Sequence, residues 1–159
     1  MIEPNMKSAA EGDSPDLTRF VLRWAIEAGW APLLVLVIYI AGGGGSVFGR
    51  EPYVDPAMHV AGGAAVTYLF RRGAELAGAM LGRPSALALD LLAMGGCCAI
   101  AILWELGEYA SDHFLGTHAQ LRIDNAMKDL LFGVVGGALF LIVARLVGRR
   151  RSPTRPSAG

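Results

Sequence analysis

The sequence predicts an all-α integral membrane protein: a bundle of about four transmembrane helices preceded by a short amphipathic interfacial helix. Three observations predict this fold class. The chain has 159 residues, which suits one domain, and 53% of them are hydrophobic. The apolar residues are concentrated in windows without charge, such as residues 33–40. Residues 17–28 instead mix apolar and charged positions with the period of a helix.

The two ends of the chain differ in composition from its middle. Residues 1–16 are polar and acidic, which predicts a disordered tail, and they lack the basic and apolar regions of a cleavable signal peptide. Residues 149–159 are rich in arginine and form a second, basic tail. The predicted helical transmembrane domain is therefore residues 17–148. The formal net charge of the chain is zero, so we expect no nucleic-acid partner.

The amphipathic segment comes first in this domain. Leu17 and Trp24 share one helical face, and Arg23 lies on the opposite one. This predicts a helix in the plane of the interface, with Trp24 and Trp30 as anchors at headgroup level. Gly29 favours a break after it. The alternative is that the segment forms the first turns of a longer spanning helix.

Four apolar segments follow as predicted membrane spans. They are expected at about residues 30–48, 56–76, 85–110 and 124–147. The second span begins with Asp55 and Pro56, an acidic cap and a proline at the first helical position. Its apolar part, residues 57–70, covers only about 21 Å of a hydrocarbon core that is about 30 Å thick. We therefore expect the helix to continue past Arg71 and Arg72, with both side chains snorkelling outward.

The distribution of arginine predicts the orientation. Three arginines lie between the second and third spans and four follow the last span, whereas the opposite loops contain two in total. By the positive-inside rule, both termini and the central loop are cytoplasmic. The loops at residues 49–55 and 111–123 are then external.

This topology brings ionisable residues of three helices to one depth, at the external end of the bundle. They are Asp55, His59, Glu105, Glu108, Asp124 and Asp129. An ionisable group at membrane depth costs about 3 kcal/mol or more, so such groups usually face a bundle interior or a wet cavity. Gly133 and Gly137 follow Asp129 with the spacing of close helix packing. These Gly-rich faces are also compatible with a homo-oligomer.

Carboxylate and imidazole groups are ligands of hard and borderline divalent ions, which makes a Mg²⁺, Mn²⁺ or Zn²⁺ site one hypothesis. The predicted metal ligands are Asp55, His59, Glu105, Asp124 and Asp129. Glu108 or His59 would be the catalytic base, and Lys128 and Arg122 would hold a phosphate or headgroup. The alternative is an interhelical network of salt bridges and hydrogen bonds, in which Lys128 or Arg122 neutralises carboxylates.

The pattern Asp55-x-x-x-His59, Trp104-Glu105-x-x-Glu108 and Asp124-x-x-x-x-Asp129 resembles VanZ-like membrane proteins, and more closely the YjdF-type inner-membrane proteins. The resemblance covers about residues 50–140. It implies a small, multi-pass protein of the bacterial inner (plasma) membrane. VanZ-like proteins are associated with resistance to glycopeptide antibiotics, but the resemblance implies no established reaction. Glu108 departs from the VanZ-like pattern, where glutamine is common.

Three functions remain open at this point. The first is metal-dependent chemistry on a phosphorylated lipid, such as a phospholipid or an isoprenoid-linked cell-envelope precursor. The second is a transporter of lipid-like molecules, and the third is a structural or accessory subunit. Only the first is enzymatic, and all three make the lipid bilayer a partner.

Overall fold

The computed structural model describes residues 16–42, 53–117 and 123–151, and within these ranges the chain is all-α, as predicted. Five helices follow one another. They are α1 (Leu17–Ala28), α2 (Trp30–Ala41), α3 (Val54–Leu81), α4 (Ala86–Leu115) and α5 (Ile123–Arg151). Most of both predicted tails lies outside the described residues, as does Arg122.

Length and composition show which helices are able to cross a membrane. In the described parts of the chain, α4 and α5 are each long and apolar enough, and α1 with α2 is a third candidate if this bent pair counts as one span. Helix α3 has 28 residues but does not qualify, because ionisable side chains interrupt its apolar sequence. The chain is thus helical with two or three clear candidate spans, and the four-span bundle stays a prediction.

The break predicted at Gly29 is present, and α1 and α2 meet there at an angle of 52°. Asp16 caps the N-terminus of α1, because its carboxylate accepts a hydrogen bond from the Thr18 amide at 3.0 Å. The indole of Trp24 donates to the carbonyl oxygen of Leu69 on α3 at 2.8 Å. The indole of Trp24 is therefore held by α3, and its role as a headgroup-level anchor stays a prediction.

Helix α3 lies at the centre of the bundle. It packs most extensively against α5, then against α4, α2 and α1 in decreasing order. The long helix that is not apolar enough to qualify as a span is thus surrounded by the other helices. This arrangement allows its ionisable side chains to contact protein groups and not lipid.

The arginines of α3 are paired inside the bundle. Arg71 Nε lies 3.2 Å from Asp90 Oδ1 on α4, and Arg145 Nε of α5 lies 2.5 Å from Asp90 Oδ2. Arg72 donates to Glu27 of α1, and Asp90 is only 7% exposed. The prediction that Arg71 and Arg72 snorkel outward is therefore wrong, because acidic partners are within reach on α1, on α4 and on α3 itself. These residues, together with Glu75, are called the arginine network below.

Glycines allow α3 and α5 to approach closely. A Cβ atom on Gly63 would overlap the carbonyl oxygen of Gly133, and one on Gly136 would overlap the carbonyl oxygen of Val60. Small residues of this kind mark close helix packing in membranes. This Gly-rich face is occupied within the chain, so it does not support the predicted homo-oligomer.

Substituting Gly136 by Ala tests this packing. The added methyl group meets the backbone of Val60, which no rotamer change relieves, so we expect a loss of about 1–3 kcal/mol in the free energy of unfolding. The measurement is thermal or denaturant unfolding in detergent micelles. Gly95→Ala is the matched control, because a Cβ atom there has no neighbour within 4 Å. Equal stability of the two variants would contradict the close α3–α5 approach.

Candidate functional site

Ionisable side chains form two layers that are separated along the axis of the bundle. Twelve residues separate His59 from Arg71 on α3, and sixteen separate Asp129 from Arg145 on α5. At 1.5 Å per residue these distances are about 18 and 24 Å along the helix axes. Both are shorter than a hydrocarbon core of about 30 Å, so unpaired charges in these layers would be costly. The arginine network is one layer, and the second contains most of the predicted site.

Three predicted site residues come together in this second layer. Asp55 and His59 lie on the first two turns of α3, and Asp129 lies near the start of α5. One potential ligand atom from each residue lies within 4.8 Å of the other two. Asp129 is only 4% exposed. We call Asp55, His59 and Asp129 the carboxylate–histidine cluster.

The imidazole of His59 lies between the two carboxylates. Its Nε2 atom is 3.6 Å from Asp55 Oδ1 and 3.8 Å from Asp129 Oδ1. Both distances exceed those of ordinary hydrogen bonds. They are close to the spacing of about 3.4 Å expected between two ligands of a tetrahedral ion when each lies about 2.1 Å from the metal. The two distances from His59 are thus near those of a metal site, whereas the three ligand atoms are grouped within 4.8 Å and would move closer together around a divalent ion.

Asn125 fixes the orientation of the Asp129 carboxylate. Its Nδ2 group donates a hydrogen bond to Asp129 Oδ2 at 2.8 Å. That bond leaves Oδ1 facing His59. The sequence pattern assigned no role to Asn125, although its position four residues before Asp129 places both side chains on one helical face.

Two predicted acids from α4 border the cluster. Glu105 is buried, at 7% exposure, and lies close enough to His59 for their charges to interact. Glu108 accepts a hydrogen bond from the Trp104 indole at 3.0 Å, and its charge interacts with those of Glu105 and His59. Neither belongs to the trio whose ligand atoms group together in the described residues. The charges of both glutamates interact with that of His59.

The remaining predicted residues lie further from the cluster. Asp124 is exposed in the first turn of α5 and is not one of the three grouped ligands. Lys128 is exposed beside Asp129, and its charge acts on that carboxylate. Arg122 lies outside the described residues, so its predicted role remains a prediction.

An apolar cavity of about 230 Å³ lies beside the cluster, between α2, α3 and α4. His59 lines it at one end, and glycines form part of its α3 wall. The sequence did not predict this cavity. No local pattern signals it, because it depends on how α2 lies against the other helices.

Helices that can cross a bilayer and buried, mutually paired charges define the chain as a membrane protein of the all-helical class. Residues 15–150 match the model of a family described as Predicted membrane protein (DUF2238), so the chain belongs to this family. No curated protein and no solved structure matches the chain. The family confirms the predicted membrane location, whereas the likeness to VanZ-like and YjdF-type proteins stays a resemblance.

Removing the Asn125 amide tests the orientation of Asp129. Asn125→Ala leaves a buried carboxylate without a hydrogen bond to one oxygen, which should lower the free energy of unfolding by about 1.5–3 kcal/mol. Unfolding in detergent micelles measures this loss. Met127→Ala, on the exposed face of the same helix, is the control. A change no larger than that of the control would show that Asn125 does not support Asp129.

Proposed function

We propose that the carboxylate–histidine cluster binds a divalent metal ion and that the protein uses it in chemistry on a phosphorylated lipid or cell-envelope precursor. One observation carries the proposal: Asp55, His59 and Asp129, from two helices, group their potential ligand atoms within 4.8 Å. Asp129 is buried, and the other two are partly buried. Two carboxylates and one imidazole suit Mn²⁺ or Zn²⁺, and carboxylates alone suit Mg²⁺. A bound cation would also offset the acidic charge of the site.

The residues around the cluster suggest a division of roles. His59 directs Nε2 at both aspartates, which favours metal binding by this atom and leaves Glu108 as the base. Glu105 is a further ligand or a counter-charge for His59. Lys128 and Arg122 would bind the phosphate of the substrate. A metal in this position would polarise a phosphate oxygen and activate water.

We further propose that the protein spans the bacterial inner membrane several times with both termini in the cytoplasm. The arginine network lies at the end of the bundle that the positive-inside rule assigns to the cytoplasm. The carboxylate–histidine cluster would then face the outer leaflet. Helix α3 would be a span because the surrounding helices cover its charged residues.

Metal binding by the purified protein tests this function. We expect about one Mn²⁺ or Zn²⁺ per chain in detergent or nanodiscs by elemental analysis, with Mg²⁺ competing. At an ion concentration about 100 times the Kd, the free energy of unfolding should rise by about 2.7 kcal/mol. His59→Ala should remove both effects. Glu75→Gln, in the arginine network, is the control and should keep them.

A second part of the experiment measures turnover of a phosphorylated lipid. Glu105→Gln should lower turnover of a phosphorylated lipid while the protein remains folded. Absence of bound metal, with Glu105→Gln changing stability but no lipid turnover, would contradict the proposed chemistry.

A second candidate is a non-enzymatic membrane protein, either a transporter or an accessory subunit, whose cluster only joins helices. The contact of His59 on α3 with Asp129 on α5 favours it, because this contact joins two helices as an interhelical network would. A protein carrying Asp129→Asn and Glu105→Gln separates the two candidates. If it folds and the cellular phenotype persists, the network candidate gains over the enzyme.

A further inference from the structure

The cavity beside the cluster has the shape of a short groove. Its α2 wall extends from Pro32 to Tyr39 and its α4 wall from Cys97 to Trp104. Seven residues of helix give each wall a length of about 11 Å. A groove of this volume and length has room for a hydrocarbon chain.

The groove opens on the outer surface of the bundle. Leu36 of α2 and Ile100 of α4 line it and are each 38% exposed. Such apolar exposure beside two helices able to cross a membrane places the opening against the hydrocarbon of the bilayer. The molecules that have access to the groove are therefore the chains of membrane lipids.

One end of the groove reaches the ionisable site. His59 lines the cavity and also contacts Asp55 and Asp129. Trp104 forms part of the wall and donates to Glu108, so its indole spans the boundary between the apolar and ionisable regions. The ring of Tyr39 meets that of Trp104 edge-on, with centroids 5.5 Å apart, and joins α2 to α4 at this boundary. A ligand that fills both regions must be an amphiphile with one chain in the groove.

We propose that the groove binds one acyl chain of a membrane phospholipid, entering from the bilayer between α2 and α4, with the phosphate at the carboxylate–histidine cluster. The placement of the phosphate rests on the proposed function, whereas the placement of the acyl chain rests on the groove. The substrate class is then a glycerolipid phosphate. Helix α2 packs mainly on α3 and would be the wall that positions the acyl chain.

Gly62 provides a variant that fills the groove. It lines the cavity, and a Cβ atom there meets only a methyl group of Val35, at 4.0 Å. Gly62→Leu therefore places a branched side chain in the groove without meeting the backbone. Gly95→Leu is the matched control on α4, because a Cβ atom there has no neighbour within 4 Å. Leu36→Trp narrows the groove from α2 and serves as a second variant if Gly62→Leu does not fold.

The test is photolabelling in phosphatidylcholine nanodiscs with a lysophosphatidic acid that carries a diazirine in its single acyl chain. Peptide mapping should place the label on residues lining the groove, including Leu36 and Ile100. Gly62→Leu should lower this labelling at least fivefold, and Gly95→Leu should leave it unchanged. A geranylgeranyl phosphate carrying the same diazirine forms the second arm and should label the groove less.

The outcomes separate this inference from the proposed function. Equal groove labelling in Gly62→Leu and wild type, label spread over all lipid-facing helices, or labelling by the isoprenoid probe alone would overturn the acyl-chain site. If any of these occurs while the wild type binds metal, the inference fails and the proposed function stands. Selective groove labelling in a protein that binds no metal supports the chain site and refutes the metal chemistry.

Discussion

Charged groups in an apolar bundle need partners, and the rest of this structure depends on that constraint. Helix α3 carries ionisable side chains on several of its turns, and it is the helix that the others surround. Its arginines contact acids on α1 and α4, and His59 faces Asp129 on α5. The glycines of α3 and α5 make the last of these contacts possible, because any larger residue at Gly63 or Gly136 would separate the two helices.

Some features of the fold and the site follow directly from the sequence. Long uncharged windows and the break at Gly29 predict the helices, since both depend on neighbouring residues along the chain. The meeting of Asp55, His59 and Asp129 was predictable as well. Helix spacing places each on a small-residue face, and the arginine distribution places them at one depth.

Lateral contacts between helices are different, because they depend on helix rotation and on which helices are neighbours. For that reason the sequence pattern did not predict the inward pairing of Arg71 and Arg72 or the Trp24–Leu69 hydrogen bond.

Helix rotation also decides which of the acidic residues belong to the cluster and which lie beside it. Glu105 and Asp129 are both buried, but only Asp129 brings a carboxylate oxygen to the side of His59 shared with Asp55. Asp124, one turn earlier on α5, is exposed. The sequence places all of these residues at one level and cannot rank their distances, since a rotation of one helix by a single residue exchanges which side chain faces inward.

In the proposed function, the site and the groove together form one amphiphilic binding region. Ionisable groups occupy the end near Asp55 and Glu108, apolar walls extend along α2 and α4, and Trp104 contacts both. A small polar substrate would not contact the apolar walls. A hydrocarbon alone would not contact the acidic residues. A lipid with a phosphate headgroup accounts for both parts, provided that a cation joins the phosphate to the carboxylates.

The presence of that cation at His59 is the central claim. Pulsed electron paramagnetic resonance of the protein in nanodiscs loaded with Mn²⁺ tests it directly, because an imidazole nitrogen bound to the ion modulates the spin echo. We predict nitrogen modulation in the wild type and in Glu75→Gln, and its loss in His59→Gln. Mn²⁺ that binds without nitrogen modulation, or modulation that persists in His59→Gln, would contradict a metal site formed by Asp55, His59 and Asp129.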